Sequence, residues 1–212
     1  MRWQEEGTLV IMLMALTLLG ASPLFSFAAP EDPKTGGGSF EHVHALAMDA
    51  EGKSLFLGAH TGLFRSEDGG RSWRKVALSA KHTHPDVMAV VADPKEPLTI
   101  YVGTHEAGVF RTTDGGTTWR EVNTGLGGLD VHGLAIDPNA PQKLHEAVRE
   151  AGEGVYRTTD GGAKWTRVDD GPGGEVKVLK SVNIPTGMGG IYLYAEPPKA
   201  SSAARTASEG GR

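Results

Sequence analysis

An all-β chain built from a repeated four-stranded unit is what this sequence predicts, and three observations predict it. The first is a set of near-identical segments, Ser66-Glu67-Asp68-Gly69-Gly70-Arg71-Ser72-Trp73, Thr112-Thr113-Asp114-Gly115-Gly116-Thr117-Thr118-Trp119 and Thr158-Thr159-Asp160-Gly161-Gly162-Ala163-Lys164-Trp165. Their Asp residues stand 46 apart, and so do their Trp. A period of roughly 40 to 50 residues marks an array in which each repeat is one supersecondary unit. The second is that every segment lies between two short strand-like runs. The third is composition: 30 Gly against 4 Tyr and 6 Phe in 212 residues suits a turn-rich β chain.

The elements follow in order within each unit. Val43 to Asp49, Val87 to Asp93 and Val131 to Asp137 align as first strands. Leu55 to His60 and Ile100 to His105 are second strands. Their third copy, Leu144 to Arg149, places Glu146 where Leu57 and Val102 stand and reads equally as helix or strand. Third strands are Leu63 to Ser66, Val109 to Thr112 and Val155 to Thr158, and fourth strands start at Trp73, Trp119 and Trp165. Asp-Gly between two such runs is a hairpin signal. The Asp carboxylate can accept hydrogen bonds from its own turn, Gly takes positive φ freely, and Trp buries a large surface. Asp68, Gly70, Trp73, Asp114, Gly116, Trp119, Asp160, Gly162 and Trp165 are therefore expected to be structural, because a structural device repeats and a catalytic residue does not.

Four antiparallel strands per unit make a propeller blade. Blades fall at about 40–76, 84–122 and 128–168, with a partial unit at 174–195 whose two strands are Glu175 to Leu179 and Ile191 to Ala195. Three blades and two strands do not close a ring, which takes about four blades. A homodimer completing the propeller, or a truncated piece of a longer propeller, are the two expectations that follow.

The pattern Ser/Thr-x-Asp-Gly-Gly-x-x-Trp resembles the Asp box, also called the bacterial neuraminidase repeat, over about residues 40 to 195. The resemblance implies a β-propeller with the box between the third and fourth strands of each blade. Sialidases, other glycoside hydrolases, photosystem II assembly factors and sortilin-type receptors carry it, so it specifies fold rather than function.

Outside the repeats, residues 8 to 29 carry no charge and end in Ser26-Phe27-Ala28-Ala29. That is the pattern of a secretory signal peptide, or of an N-terminal anchor if uncleaved, over 1–29. Residues 30–39 read as a linker and 196–212 as a disordered tail. A secreted or periplasmic location follows, with membrane contact only through the N-terminal segment. The net charge of −5 gives no reason to expect nucleic acid, and zero Cys excludes disulfides and thiolate chemistry. No cofactor is expected.

Strands alternate in direction within a blade, so the Asp boxes share one face and the second-to-third turns share the other. Seven of the eight His fall on the face opposite the boxes, and His145 does not. His42, His44, His60, His105 and His132, with Arg149 at the third-blade equivalent of His60 and His105, are the candidate ligand-face residues. His is the commonest metal ligand, although His44 and His132 also share a strand face with Leu46 and Leu134 and read equally as core. Arg65, Arg111 and Arg157 recur before the boxes and read as structural. Glu41, Asp86, Glu106 and Asp130 lie on the His face, but no spacing pairs them for glycoside hydrolysis. The expectation is an extracytoplasmic binding or assembly module for a protein, peptide or glycan, with no catalytic set; a sialidase-like glycoside hydrolase is the alternative.

Overall fold

A computed structural model of the chain describes residues 40–169, 179–184 and 190–195. These residues form fourteen strands and no helix. The first blade is β1 (Val43–Met48), β2 (Leu55–Ala59), β3 (Gly62–Ser66) and β4 (Arg74–Val76). The second is β5 (Val87–Ala92), β6 (Ile100–Thr104), β7 (Gly108–Thr112) and β8 (Arg120–Glu121). The third is β9 (Asp130–Ile136), β10 (Leu144–Arg149), β11 (Gly154–Thr158) and β12 (Thr166–Asp169). Each is an antiparallel sheet in sequential order, and β13 (Leu179–Ile184) pairs with β14 (Gly190–Ala195) as half of a fourth unit. The architecture is the predicted β-propeller segment, and the described strands do not close a ring. No helix among the described residues is long and apolar enough to cross a membrane. The expected leader, linker and tail at 1–29, 30–39 and 196–212 lie outside the described residues.

Two elements differ from expectation. The partial unit's first strand runs Leu179–Ile184 rather than Glu175 to Leu179, and 175–178 lie outside the described residues. Leu179, the first described residue of that strand, is buried against Ala135 and Ala147 of the third blade. The ambiguous segment at 144–149 is a strand because both its edges are occupied, by β9 and by β11. Tertiary pairing overrides a local pattern that would also suit a helix.

The core lies between blades, since each sheet is apolar on both faces. Phe56 and Leu63 of the first blade meet Val87, Ile100, Val102 and Phe110 of the second. Tyr101 and Val109 of the second meet Val131, Leu144, Tyr156 and Trp165 of the third. Close approach is set by small residues on second strands. A Cβ on Gly58 would lie 2.5 Å from Val87 Cγ1, and one on Gly103 would lie 2.7 Å from Val131 Cγ1. A side chain there would force the blades apart.

A further regularity concerns the innermost strands. The β1–β2 ladder slips between Val43 and Ala45, and the β5–β6 ladder slips between Val87 and Ala89. The β9–β10 ladder slips between Val131 and Gly133. His44, Met88 and His132 are thus the unpaired extra residues of three equivalent β-bulges. A bulge re-aims its side chain out of the strand's two-residue alternation.

Candidate functional site

The Asp boxes satisfy themselves. The Thr112 hydroxyl donates to Asp114 Oδ1 at 2.7 Å, the Thr118 hydroxyl to Oδ2 at 2.6 Å, and the Thr117 and Thr118 N–H groups to Oδ1 at 3.0 and 2.9 Å. Gly116 N–H donates to Thr112 Oγ1 at 3.0 Å, with Gly116 at φ 88°. Asp68 repeats the pattern through Ser66 and Ser72. Asp160 keeps Thr158 and the Lys164 N–H but has no hydroxyl at 164. Hydrogen bonds from Ser72 and Thr118 hold Asp68 and Asp114 far below the usual carboxylate range, and one from Thr158 lowers Asp160. The turns are pinned to the first-to-second loops of their own blades, where Gly115 N–H meets Leu98 O and Gly161 N–H meets Gln142 O, at 2.9 and 2.8 Å. Buried Trp165 ties the third blade to the second, donating from Nε1 to Val122 O at 2.6 Å, whereas Trp73 donates to Gly70 O of its own turn. The recurrent Arg are structural, Arg65 lying over the Phe56 ring and Arg111 over Tyr101.

On the opposite face, the end of each second strand faces the start of its own first strand. His60 N–H donates to His42 O, His105 N–H donates to Asp86 O, and Arg149 pairs with Asp130 in the β9–β10 ladder. Across each blade boundary the side chains then join. His60 Nδ1 lies 2.9 Å from Asp86 Oδ2, and His105 Nδ1 lies 2.7 Å from Asp130 Oδ1. The bulge residues complete two groups. His44 Nε2 stands 3.7 Å from Asp86 Oδ1, and His132 Nε2 stands 2.8 Å from Asp130 Oδ1. His42 sits beside the first group, its ring 5.7 Å from that of His60. Arg149 closes the second, with Nη1 at 2.9 and 3.4 Å from the two nitrogens of His132.

Proton positions in the second group follow from valence. Nε2 of His132 cannot both donate to Asp130 and accept from Arg149. The consistent assignment is Nε2–H donating to Asp130, with Nδ1 accepting from the guanidinium. Burial lowers the His132 pKa, and the nearby Arg149 charge adds to that. The hydrogen bond to Asp130 raises that of His105. His105 is thus the more readily protonated member of the group and His132 the less. In the first group burial lowers His44, opposed by Asp86. One oxygen of each aspartate, Asp86 Oδ1 and Asp130 Oδ2, is buried without a hydrogen-bond partner.

Five of the six candidate ligand-face residues lie in these groups and His42 lies beside the first; the sequence pattern placed them on one face without joining them. His82 and His84 remain in a loop, His82 against the Phe110 ring and His84 against Thr83. They line, with His60, Asp86 and His105, a cleft of about 520 Å³ between the first two blades. A second cleft of about 450 Å³ runs along the first strands, past His44, Met88, His132 and Leu179. His145 lies elsewhere, near Lys143, Arg157 and Asp137, with its pKa lowered by burial. The residues sequence reasoning missed as site members are Asp86 and Asp130, the hub of each group. The signal for them is the spacing of 42, 86 and 130, an interval of 44, shorter than the 46 of the boxes.

Residues 61–174 match the family model described as sortilin, neurotensin receptor 3. No curated protein sequence matches the chain. An ancestral GH74 enzyme is similar in structure, with TM-score 0.53, 19% identity, and coverage of 74% of this chain and 27% of that one. YCF48 bound to D1 peptide has TM-score 0.50, 18% identity, and coverage of 70% and 47%. An extracellular domain from B. thetaiotaomicron has TM-score 0.57, 18% identity, and coverage of 80% and 22%. The chain thus spans less than half the length of each of these structures, and the likeness is one of fold.

Proposed function

The chain belongs to the sortilin family (Sortilin-Vps10), and from that premise we propose that it is an extracytoplasmic β-propeller binding module. Its ligand, a protein, peptide or glycan, is held on the face opposite the Asp boxes. The observation that carries this reading is the paired His–Asp–His arrangement at two successive blade boundaries, each aspartate keeping one buried, unpartnered oxygen. Buried acceptors without partners are costly, and a donor supplied by a ligand relieves that cost. The adjoining clefts give such a ligand an apolar floor of first-strand residues. The uncharged leader pattern and the extracellular-domain likeness support the location.

The hydrolase alternative gains nothing from the site. Glycoside hydrolysis needs two carboxylates facing each other across the scissile bond, and Asp130 is committed to two histidines. The test is a peptide and glycan array probed with the purified chain and with three variants. Array signals lost in Asp130→Asn and Asp86→Asn but retained in Asp160→Asn support the reading. An array with no signal, or signals lost only with the Asp-box variant, overturns it.

A further inference from the structure

Each group joins one aspartate to two histidines, but the bulge residues stand differently: His44 reaches Asp86 of the following blade, whereas His132 shares β9 with Asp130. In the group around Asp130 the guanidinium of Arg149 lies 2.9 Å from His132 Nε2. Around Asp86 the ion pairs among the described residues are with His44 and His60. We propose that His44 Nε2, His60 Nδ1 and the Asp86 carboxylate form a binding site for one divalent transition ion of the zinc class.

The donor set is two imidazole nitrogens and one carboxylate oxygen, which suits zinc. Their ligand atoms all lie within 4.8 Å of one another. An ion about 2.0–2.1 Å from each donor in tetrahedral geometry requires donors about 3.3 Å apart. His60 Nδ1 stands 2.9 Å from Asp86 Oδ2 and His44 Nε2 stands 3.7 Å from Asp86 Oδ1, so the two nitrogens approach the two oxygens of one carboxylate at separations on either side of that value. Asp86 Oδ1 is buried and has no hydrogen-bond partner, so a lone pair faces the group unused. The bulge at position 44 brings Nε2 within 3.7 Å of that oxygen in the next blade. His42 stands next to the set, its ring 5.7 Å from that of His60. Its backbone is held at φ 48°, in the left-handed region, by a turn whose carbonyl accepts from His60. The third-blade group offers the same donor types, but a dication there would sit against Arg149. The stoichiometry is therefore one ion per chain.

The experiment uses the full chain without a histidine tag, stripped with chelator, and titrated calorimetrically with zinc sulfate. Cobalt titration followed by visible absorption reports the coordination directly. One site is expected, weakened at least tenfold in both His44→Gln and His60→Gln and retained in His132→Gln, with all variants keeping the wild-type circular dichroism. No binding by the wild type, affinity undiminished in His44→Gln and His60→Gln, or an equal loss in His132→Gln would overturn the site.

Discussion

His105 Nδ1 lies 2.7 Å from Asp130 Oδ1, across the boundary between the second and third blades. This contact ties the last residue beyond β6 to the first residue of β9. It lies above the glycine-mediated contact of Gly103 with Val131, so polar and apolar links between these blades are stacked.

The first prediction concerns that link. Asp130→Ala leaves His105 and His132 without their shared carboxylate, and should lower stability by on the order of 1–3 kcal/mol. His105→Gln alone should cost less, because the imidazole is 37% exposed. A double-mutant cycle between the two should show coupling of about 0.5 kcal/mol or more. Strict additivity in chemical denaturation would contradict a direct interaction.

The Asp boxes predict a rank order. Asp114→Ala should lower the melting temperature more than Asp160→Ala, since Asp114 has an extra hydroxyl donor in Thr118 where Asp160 faces Lys164. The Asp114 pKa is depressed in the fold, so its contribution is present above its unfolded value near ~3.9 and is lost as pH falls through the lower folded value. The deficit of Asp114→Ala should therefore persist in mild acid. Equal melting temperatures for the two variants would refute the ranking.

Glu146 gives a prediction of opposite sign. It is fully buried, neither carboxylate oxygen has a hydrogen-bond partner, and burial pushes its pKa well above the ordinary value. In the unfolded chain it titrates near pH ~4.3. Above that pH the unfolded state has released a proton that the native state keeps, so stability falls as pH rises toward the folded pKa. Glu146→Gln removes this loss; its advantage over wild type should be smallest near pH ~4 and grow toward neutrality. Glu146→Val, matching Val102 in the second blade, should stabilise by on the order of 1–3 kcal/mol at neutral pH. A destabilised valine variant would mean that the carboxyl group has a partner in solution.

The packing prediction is steric. Gly103→Val would put side-chain carbon against Val131 Cγ1, where even a Cβ comes to 2.7 Å. Overpacking of this kind costs about 1–3 kcal/mol. The paired change Gly103→Ala with Val131→Ala should recover part of the loss of Gly103→Ala alone. No recovery in thermal melts would place the strain elsewhere.

The blade was legible in the sequence because its signals are local. An Asp-Gly turn, a Trp three residues past the second Gly and short apolar runs each act within one hairpin, and their repetition multiplies the evidence. That the candidate histidines and Arg149 gather on one face was legible, since strand direction alone brings them there. Their joining through Asp86 and Asp130 was not. It depends on contacts between blades, and on bulges that break the two-residue alternation by which His44 and His132 had looked like neighbours of Leu46 and Leu134.

Those bulges have a consequence for how the chain can change. A residue inside a regular ladder is bound to its opposite number, so altering it disturbs a pair. The extra residue of a bulge has no opposite number. Positions 44, 88 and 132 carry His, Met and His on an unchanged frame. Each blade therefore contributes one interchangeable socket to the inner rim, and a repeat protein of this kind can acquire or discard a chemistry blade by blade without renegotiating its fold.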